Sequence, residues 1–371
     1  MGSQLDKESL LLRIREMIKV NYLLLLCFPA VVLLAGRVLA DENPTAKGQG
    51  AGVKEFEIPK QASNSILVFK RDDGGQGTGF IVKRKVADKD RFFVYTNQHV
   101  IAGCKTVPKA LRADGTAVRL GKLVTAVNYD LAIFMLVGTE PNFLEIQDEV
   151  DKEISVGEPV GTPGNSGGGA AITFKYGKVV AIGPEVVEID AMIKGGNSGG
   201  PILLRNGRVI GIVSYFTEET KDDARVSDAH KETVVRRFGY RVDNVKSWET
   251  PDWQRFVMQG EKVARVQATS EDLLALVNSR FERWNGNEQI GEIMGQFRKN
   301  MNSARSQKEA NGDISKVFTE LNKITMADLN SAAADTSLYW WWKHTLEEQK
   351  DFRKSLNESF EKEAAEARQK R

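Results

Sequence analysis

The string Gly195-Gly196-Asn197-Ser198-Gly199-Gly200-Pro201 carries the residue types of a nucleophile loop. Ser198 supplies a hydroxyl able to attack a carbonyl carbon. The glycines around it let the backbone turn tightly and meet a substrate without Cβ clashes. A serine hydroxyl is a weak nucleophile until a neighbouring base takes its proton, and that base needs an acid to orient it. The loop alone does not decide the matter, because Gly164-Asn165-Ser166-Gly167-Gly168 repeats its central letters. Ser166 is therefore a second candidate nucleophile, in a stretch whose Gly167-Gly168-Gly169 also reads as a mobile surface turn.

The chain has three histidines, His99, His230 and His344. His99 stands near the end of the apolar, β-branched and aromatic run Phe92–Ile101, which reads as a buried strand entering a short turn. Taken alone, a satisfied core histidine fits that place as well as a base does. Asp130 is embedded in the apolar stretch Val124–Ile133. A carboxylate there costs free energy unless it has a partner, and a histidine N–H is such a partner. The plain alternative is an aspartate at a loop tip. His230 falls in the charged stretch Glu218–Lys231, read as an exposed loop.

The order His99, Asp130, Ser198, set in Thr96-Asn97-Gln98-His99-Val100, Asp130-Leu131-Ala132 and Gly196-Asn197-Ser198-Gly199-Gly200-Pro201, resembles the trypsin-like serine proteases. It is most similar to their HtrA/Deg branch, which the short His-to-Asp interval also resembles. Gly77-Thr78-Gly79-Phe80-Ile81-Val82 and Gly207–Ser214 resemble the family's early strand and the hairpin strand after the nucleophile. The resemblance covers roughly residues 61–245. It implies an all-β fold of two six-stranded barrels with the triad between them, and peptide hydrolysis through an acyl-enzyme. Ser198 would attack, His99 would act as base and then acid, and Asp130 would fix the imidazole. The N–H groups of Gly196 and Ser198 would form the oxyanion hole.

The resemblance also implies a substrate pocket. Met192, six residues before Ser198, would lie at its base, Ser214-Tyr215-Phe216 would form a wall, and Ser214 would bond the triad acid. With no acid at the base and Phe216 in place of a small residue, Val, Ala or Leu is expected on the acyl side of the scissile bond. Neutral Asn197 stands where zymogen-activated relatives carry Asp, so control by loop ordering is expected rather than insertion of a new N-terminus.

Several elements must position these residues. From residue 61 to 246, short β-rich runs such as Ile66–Phe69, Leu131–Val137 and Val179–Ile182 alternate with glycine and charged turns, the pattern of an all-β domain. Residues 41–60 read as a linker. Over 247–371 glycine falls and Ala, Glu, Gln, Lys and Arg rise, which predicts a helical C-terminal region. There Thr269-x-x-Asp272 resembles a capping box, Gly286 reads as a helix break, and Asp335-Thr336 reads as the cap of a long last helix. Leu338, Trp342, Leu346, Phe352, Leu356 and Phe360 would be that helix's apolar stripe. Trp340-Trp341-Trp342 either packs this region or anchors a partner, and the tail is a candidate for homo-oligomer contacts. No β-rich PDZ-like module follows the protease-like region, so peptide capture by such a module is not expected.

Composition narrows the remaining classes. Fifty-two Lys and Arg against 50 Asp and Glu give a net charge of +2, no basis for nucleic acid as the main partner. Residues 20–36 form an apolar run after Lys19, and Val38-Leu39-Ala40 suits signal cleavage. The expectation is a signal peptide or membrane anchor over residues 1–40: a cleaved signal ending at Ala40, giving a periplasmic or secreted protein, or an uncleaved anchor. Cys104 would then be the only cysteine of the mature chain. The histidines and cysteines lack zinc spacing and the glycine strings lack a phosphate-loop lysine, so no metal or cofactor is expected. The sequence reads as an exported serine endopeptidase acting on proteins or peptides, with a role in envelope protein quality control. The alternative is a non-catalytic chaperone or binding protein on the same fold.

Overall fold

The computed structural model describes residues 55–220, 233–277 and 307–369, together with Glu292. The apolar run 20–36, His230 and Gly286 lie outside the described residues. No helix among the described residues is long and apolar enough to cross a membrane. The chain divides into two compact units between Val257 and Met258.

In the first unit, runs rich in Val, Ile, Phe and Tyr form two antiparallel sheets. One takes β1 (Ile66–Lys70), β2 (Gln76–Val86), β3 (Lys89–Thr96), β4 (Lys109–Leu111), β5 (Ala117–Val118), β6 (Leu120–Ala126), β7 (Ala132–Leu136) and, from far along the chain, β14 (Trp248–Glu249). Its strand order is β14-β6-β7-β3-β2-β1-β4-β5. The other takes β8 (Pro159–Gly164), β9 (Thr173–Ile182), β10 (Val186–Ile189), β11 (Pro201–Leu204), β12 (Val209–Thr220) and β13 (Thr233–Tyr240). It closes into a six-stranded barrel in the order β10-β13-β12-β11-β8-β9. The strand-rich protease-like fold expected from the sequence is therefore present, with two differences. The first sheet has eight strands where six were expected. It also does not close by hydrogen bonds, since both of its ends are two-residue strands that offer little ladder to pair. Trp248 and Glu249, expected in the tail, instead pair with Ala126 and Thr125 of the sheet.

Two apolar clusters hold the sheets. Phe80, Val82, Tyr95, Leu131, Leu203 and Ile212 bring both sheets into one core. Val160, Val179, Val187, Ile189, Ile202 and Val213 fill the closed barrel. These strands turn fully buried β-branched side chains inward, which fixes their register, because a slip of one residue would face every one of them outward. β12 runs on through Thr220, so the stretch expected to loop from Glu218 begins as strand.

The C-terminal region contains helices Trp253–Val277, Gln307–Ala333 and Trp340–Gln369. Neither expected cap is one. Thr269 lies inside the first helix, where its hydroxyl donates back to the carbonyls of Arg265 and Val266. Asp335 instead accepts the N–H of Ser337 in a tight turn ahead of a helix that starts at Trp340. Trp341 and Trp342 are buried along with Leu346 and Leu356, and Trp340 stacks on His344 at 4.9 Å. The tryptophan run thus packs the helical region, with Trp341 adding a buried position outside the expected stripe.

Candidate active site

β3 ends at Thr96, and the chain turns through Asn97 into the single helical turn Gln98–Ile101 that carries His99. Two buried amides hold this turn. Asn97 Nδ2 donates to the carbonyl of Asp130 at 2.6 Å, and Gln98 Nε2 donates to the carbonyls of Ala126 and Tyr129 at 3.0 and 2.8 Å. They lock the His99 turn to the β6–β7 connection. That connection passes through the left-handed residue Asn128 before Asp130 turns inward.

Asp130 is 2% exposed. Its Oδ1 accepts the backbone N–H of His99 at 3.0 Å, and its Oδ2 lies 2.5 Å from His99 Nδ1. Oδ2 also accepts the hydroxyl of Ser214 at 2.8 Å. Three donors on one carboxylate offset the desolvation that a buried charge otherwise suffers. Ser198 is half-buried in the loop from β10 to β11, and its Oγ is 3.5 Å from the carbonyl oxygen of Ser214. Ser214 therefore touches both the Asp130–His99 pair and the loop of Ser198.

The Ser198 loop is fixed by its backbone. Thr78 N–H donates to Ser198 O at 2.8 Å, Gly199 N–H to Val213 O at 2.9 Å, and Val213 N–H to Gly200 O at 2.8 Å. Gly196 and Gly199 have φ of +92° and +84°, the left-handed region that glycine adopts without strain. A Cβ on Gly196 would stand 2.0 Å from Asn165 O. The N–H groups of Asn197, Gly199 and Gly200 all donate to backbone carbonyls. Among the described residues, those of Gly196 and Ser198 have no such acceptor. These are the two donors the sequence assigned to an oxyanion hole.

At the second Gly-Asn-Ser-Gly-Gly string, Gly167 and Gly169 lie at the surface, as expected of a turn, but the string is also tied to the first loop. Gly167 N–H donates to Gly195 O at 2.8 Å, and Asn165 is fully buried. Sequence reasoning missed the residue that joins the two loops. Thr78 Oγ1 accepts the N–H of Asn165 at 2.9 Å and donates to Gly196 O at 2.6 Å. It thereby holds the Gly196–Asn197 peptide and ties it to the loop whose Gly167 bonds Gly195 O. Replacing Thr78 with Val keeps the shape and removes both bonds. We expect kcat to fall about tenfold or more, short of the ~10²–10³ typical of losing an oxyanion donor outright, with KM little changed. Thr78→Ser should restore the rate, and steady-state kinetics on one peptide substrate checks both variants.

Around the expected pocket, Met192 is 40% exposed and Phe216 is half-buried. A third side chain, not foreseen, joins them: Arg237 Nη2 lies 3.2 Å from Met192 Sδ. Cys104 is buried and unbridged, and burial pushes its thiol up to about 12, so it stays protonated and inert at neutral pH.

Comparison with known proteins finds relatives of this chain. A family model described as "Trypsin-like peptidase domain" matches residues 77–212. The chain is 30% identical over 144 residues to the "Probable periplasmic serine endoprotease DegP-like" of Brucella suis biovar 1 (strain 1330), covering 37% of this chain and 27% of that protein. It is 30% identical over 161 residues to the "Serine protease Do-like HtrA" of Bacillus subtilis (strain 168), covering 40% and 35%. To the "Magnetosome formation protease MamE" of Paramagnetospirillum magneticum (strain ATCC 700264 / AMB-1) it is 29% identical over 206 residues, covering 49% and 26%. The similarity thus spans between about a quarter and about a third of these relatives' own lengths. His99, Asp130 and Ser198 all fall inside the matched stretch, and residues 77–212 of this chain are a trypsin-like peptidase domain.

Proposed function

We propose that this protein is an exported serine endopeptidase that hydrolyses peptide bonds through Ser198, His99 and Asp130. The observation that carries the reading is the carboxylate of Asp130, which faces His99 Nδ1 at 2.5 Å and Ser214 Oγ at 2.8 Å beside the Ser198 loop. An Nδ1–H held by that carboxylate leaves Nε2 as the basic nitrogen of His99. His99 would take the proton of Ser198 Oγ as it bonds to the scissile carbonyl carbon, and the carbonyl oxygen would gather charge against the N–H groups of Gly196 and Ser198. Collapse of that intermediate breaks the C–N bond, with His99 returning the proton to the leaving amine. Water then repeats the sequence to release the acid and regenerate Ser198.

Export is supported by the apolar run 20–36 followed by Ala40, and by the similarity to the Brucella protein described as a probable periplasmic endoprotease. The natural substrates are exported or envelope proteins, and the helical C-terminal region is the candidate assembly element.

Labelling of the full chain with a fluorophosphonate, with the adduct mapped by peptide mass spectrometry, tests the chemistry. One adduct per chain, on Ser198, is expected. An adduct on Ser166, or none on folded protein, counts against the assignment.

A further inference from the structure

We propose that Arg237 sets the specificity of the substrate pocket and that the protein cleaves after acidic residues, Asp or Glu. This rests on the serine-protease reading above and adds the substrate class to it.

Strand β13 lies between β10 and β12 in the closed barrel. Arg237 is paired across to Ile189 on one side and to Phe216 on the other. Both neighbours belong to the segments that wall the expected pocket. Ile189 leads in three residues to Met192, and Phe216 follows two residues after Ser214, whose carbonyl oxygen is 3.5 Å from Ser198 Oγ. Register alone therefore sets Arg237 beside the place where a substrate side chain would enter.

Alternation along the strand settles which arginine faces it, because successive side chains point to opposite sides. Arg236 goes to one side, where its Nε and Nη2 bond both carboxylate oxygens of Glu188 at 3.0 and 2.9 Å. Arg237 goes to the other side. Gly239, two residues on and sharing that side, has its Cβ position 2.5 Å from Ile202 Cδ1, a core residue of the barrel. Arg237 thus occupies the inward face of β13, and its guanidinium reaches the exposed Met192 Sδ.

A guanidinium at this place, its Nη1 donating to Val235 O at 3.2 Å and its Nη2 beside Met192 Sδ, favours an incoming acid. A carboxylate forms charge-assisted bonds about twice as strong as neutral ones and matches the guanidinium fork with two oxygens. A substrate Lys or Arg would meet like charge, and Phe216 limits the room for a large apolar group. The apolar preference expected from Met192 and Phe216 left β13 out, because the residues of that strand are brought to the pocket by barrel closure and not by sequence proximity.

The test is cleavage of a proteome-derived peptide library by the full chain, with the residue before each cut read by mass spectrometry, followed by kcat/KM on matched Glu and Val peptides. Wild type should cut mainly after Glu or Asp. Arg237→Gln should lower the Glu-to-Val ratio of kcat/KM on the order of 10²-fold, the scale of losing one partner of a desolvated charge pair. Arg237→Glu should gain cleavage after Lys, a gain that misfolding cannot produce. Cuts mainly after Val, Leu or Lys by wild type, or an unchanged ratio in Arg237→Gln, would overturn the inference while a fluorophosphonate adduct on Ser198 left the protease reading standing. No cleavage at any site would remove both the endopeptidase reading and this inference.

Discussion

Replacing Ser198 with alanine is expected to lower kcat for peptide hydrolysis by about 10⁵–10⁶-fold without loosening the fold. The size follows from what the hydroxyl does. Without it no acyl-enzyme forms, and the rate falls to what oxyanion donors and substrate positioning give an attacking water, ~10³–10⁴ over the uncatalysed reaction. The neutral effect on stability follows from what the hydroxyl touches. Its contact with Ser214 O is 3.5 Å long, at the outer limit of a hydrogen bond. The loop is held instead by backbone bonds from Thr78, Gly199 and Val213, none of which involves the side chain of residue 198. Circular dichroism and the melting midpoint should therefore match wild type while turnover disappears. Turnover above about one per cent of wild type, lost only on changing Ser166, would move the nucleophile to the other glycine loop.

The residues proposed to do chemistry could be singled out because each announces itself locally. His99 sits at the end of an apolar strand, Asp130 is a charge inside an apolar run, and Ser198 lies among glycines. The residues that hold them were not legible, because their partners are distant in sequence. Asn97 and Gln98 read as the end of a strand, yet their amides clamp a connection some 30 residues away. Thr78 read as a strand residue in a glycine motif, and only the fold brings its hydroxyl to Gly196, 118 residues on. Arg237 belongs to the same class. The two misplaced helix caps show the opposite error. Thr269 and Asp335 have side chains that satisfy caps in general, but each found a nearer backbone partner, Thr269 the turn before it and Asp335 the residues just after it. The strand-rich domain and the helical tail were visible in composition and periodicity. Closure of one sheet and not the other depends on the lengths of β5 and β14, which propensity does not specify.

Changing Asp130 to asparagine should reduce kcat by about 10⁴-fold while the chain still folds. The substitution keeps the volume and exchanges one carboxylate oxygen for an NH₂ group. Oδ2 now faces His99 Nδ1 and Ser214 Oγ together, both as donors. An amide has one acceptor oxygen for the sites the carboxylate filled with two. The backbone N–H of His99 cannot rotate away from Oδ1, so the amide oxygen is expected to stay there and the NH₂ to face the ring. An NH₂ facing Nδ1 demands that Nδ1 accept, which puts the proton of neutral imidazole on Nε2. Nε2 is the nitrogen needed to take the proton from Ser198, so the base is lost by tautomer rather than by displacement. The imidazolium formed during attack also loses its counter-charge. The cost to folding should be modest, about 1–3 kcal/mol for one mismatched buried polar group. The discriminating readout is the split between parameters: kcat and the rate of fluorophosphonate uptake at Ser198 should fall together, with KM within a few-fold of wild type. An Asn variant that labels as fast as wild type would mean that Asp130 serves packing alone.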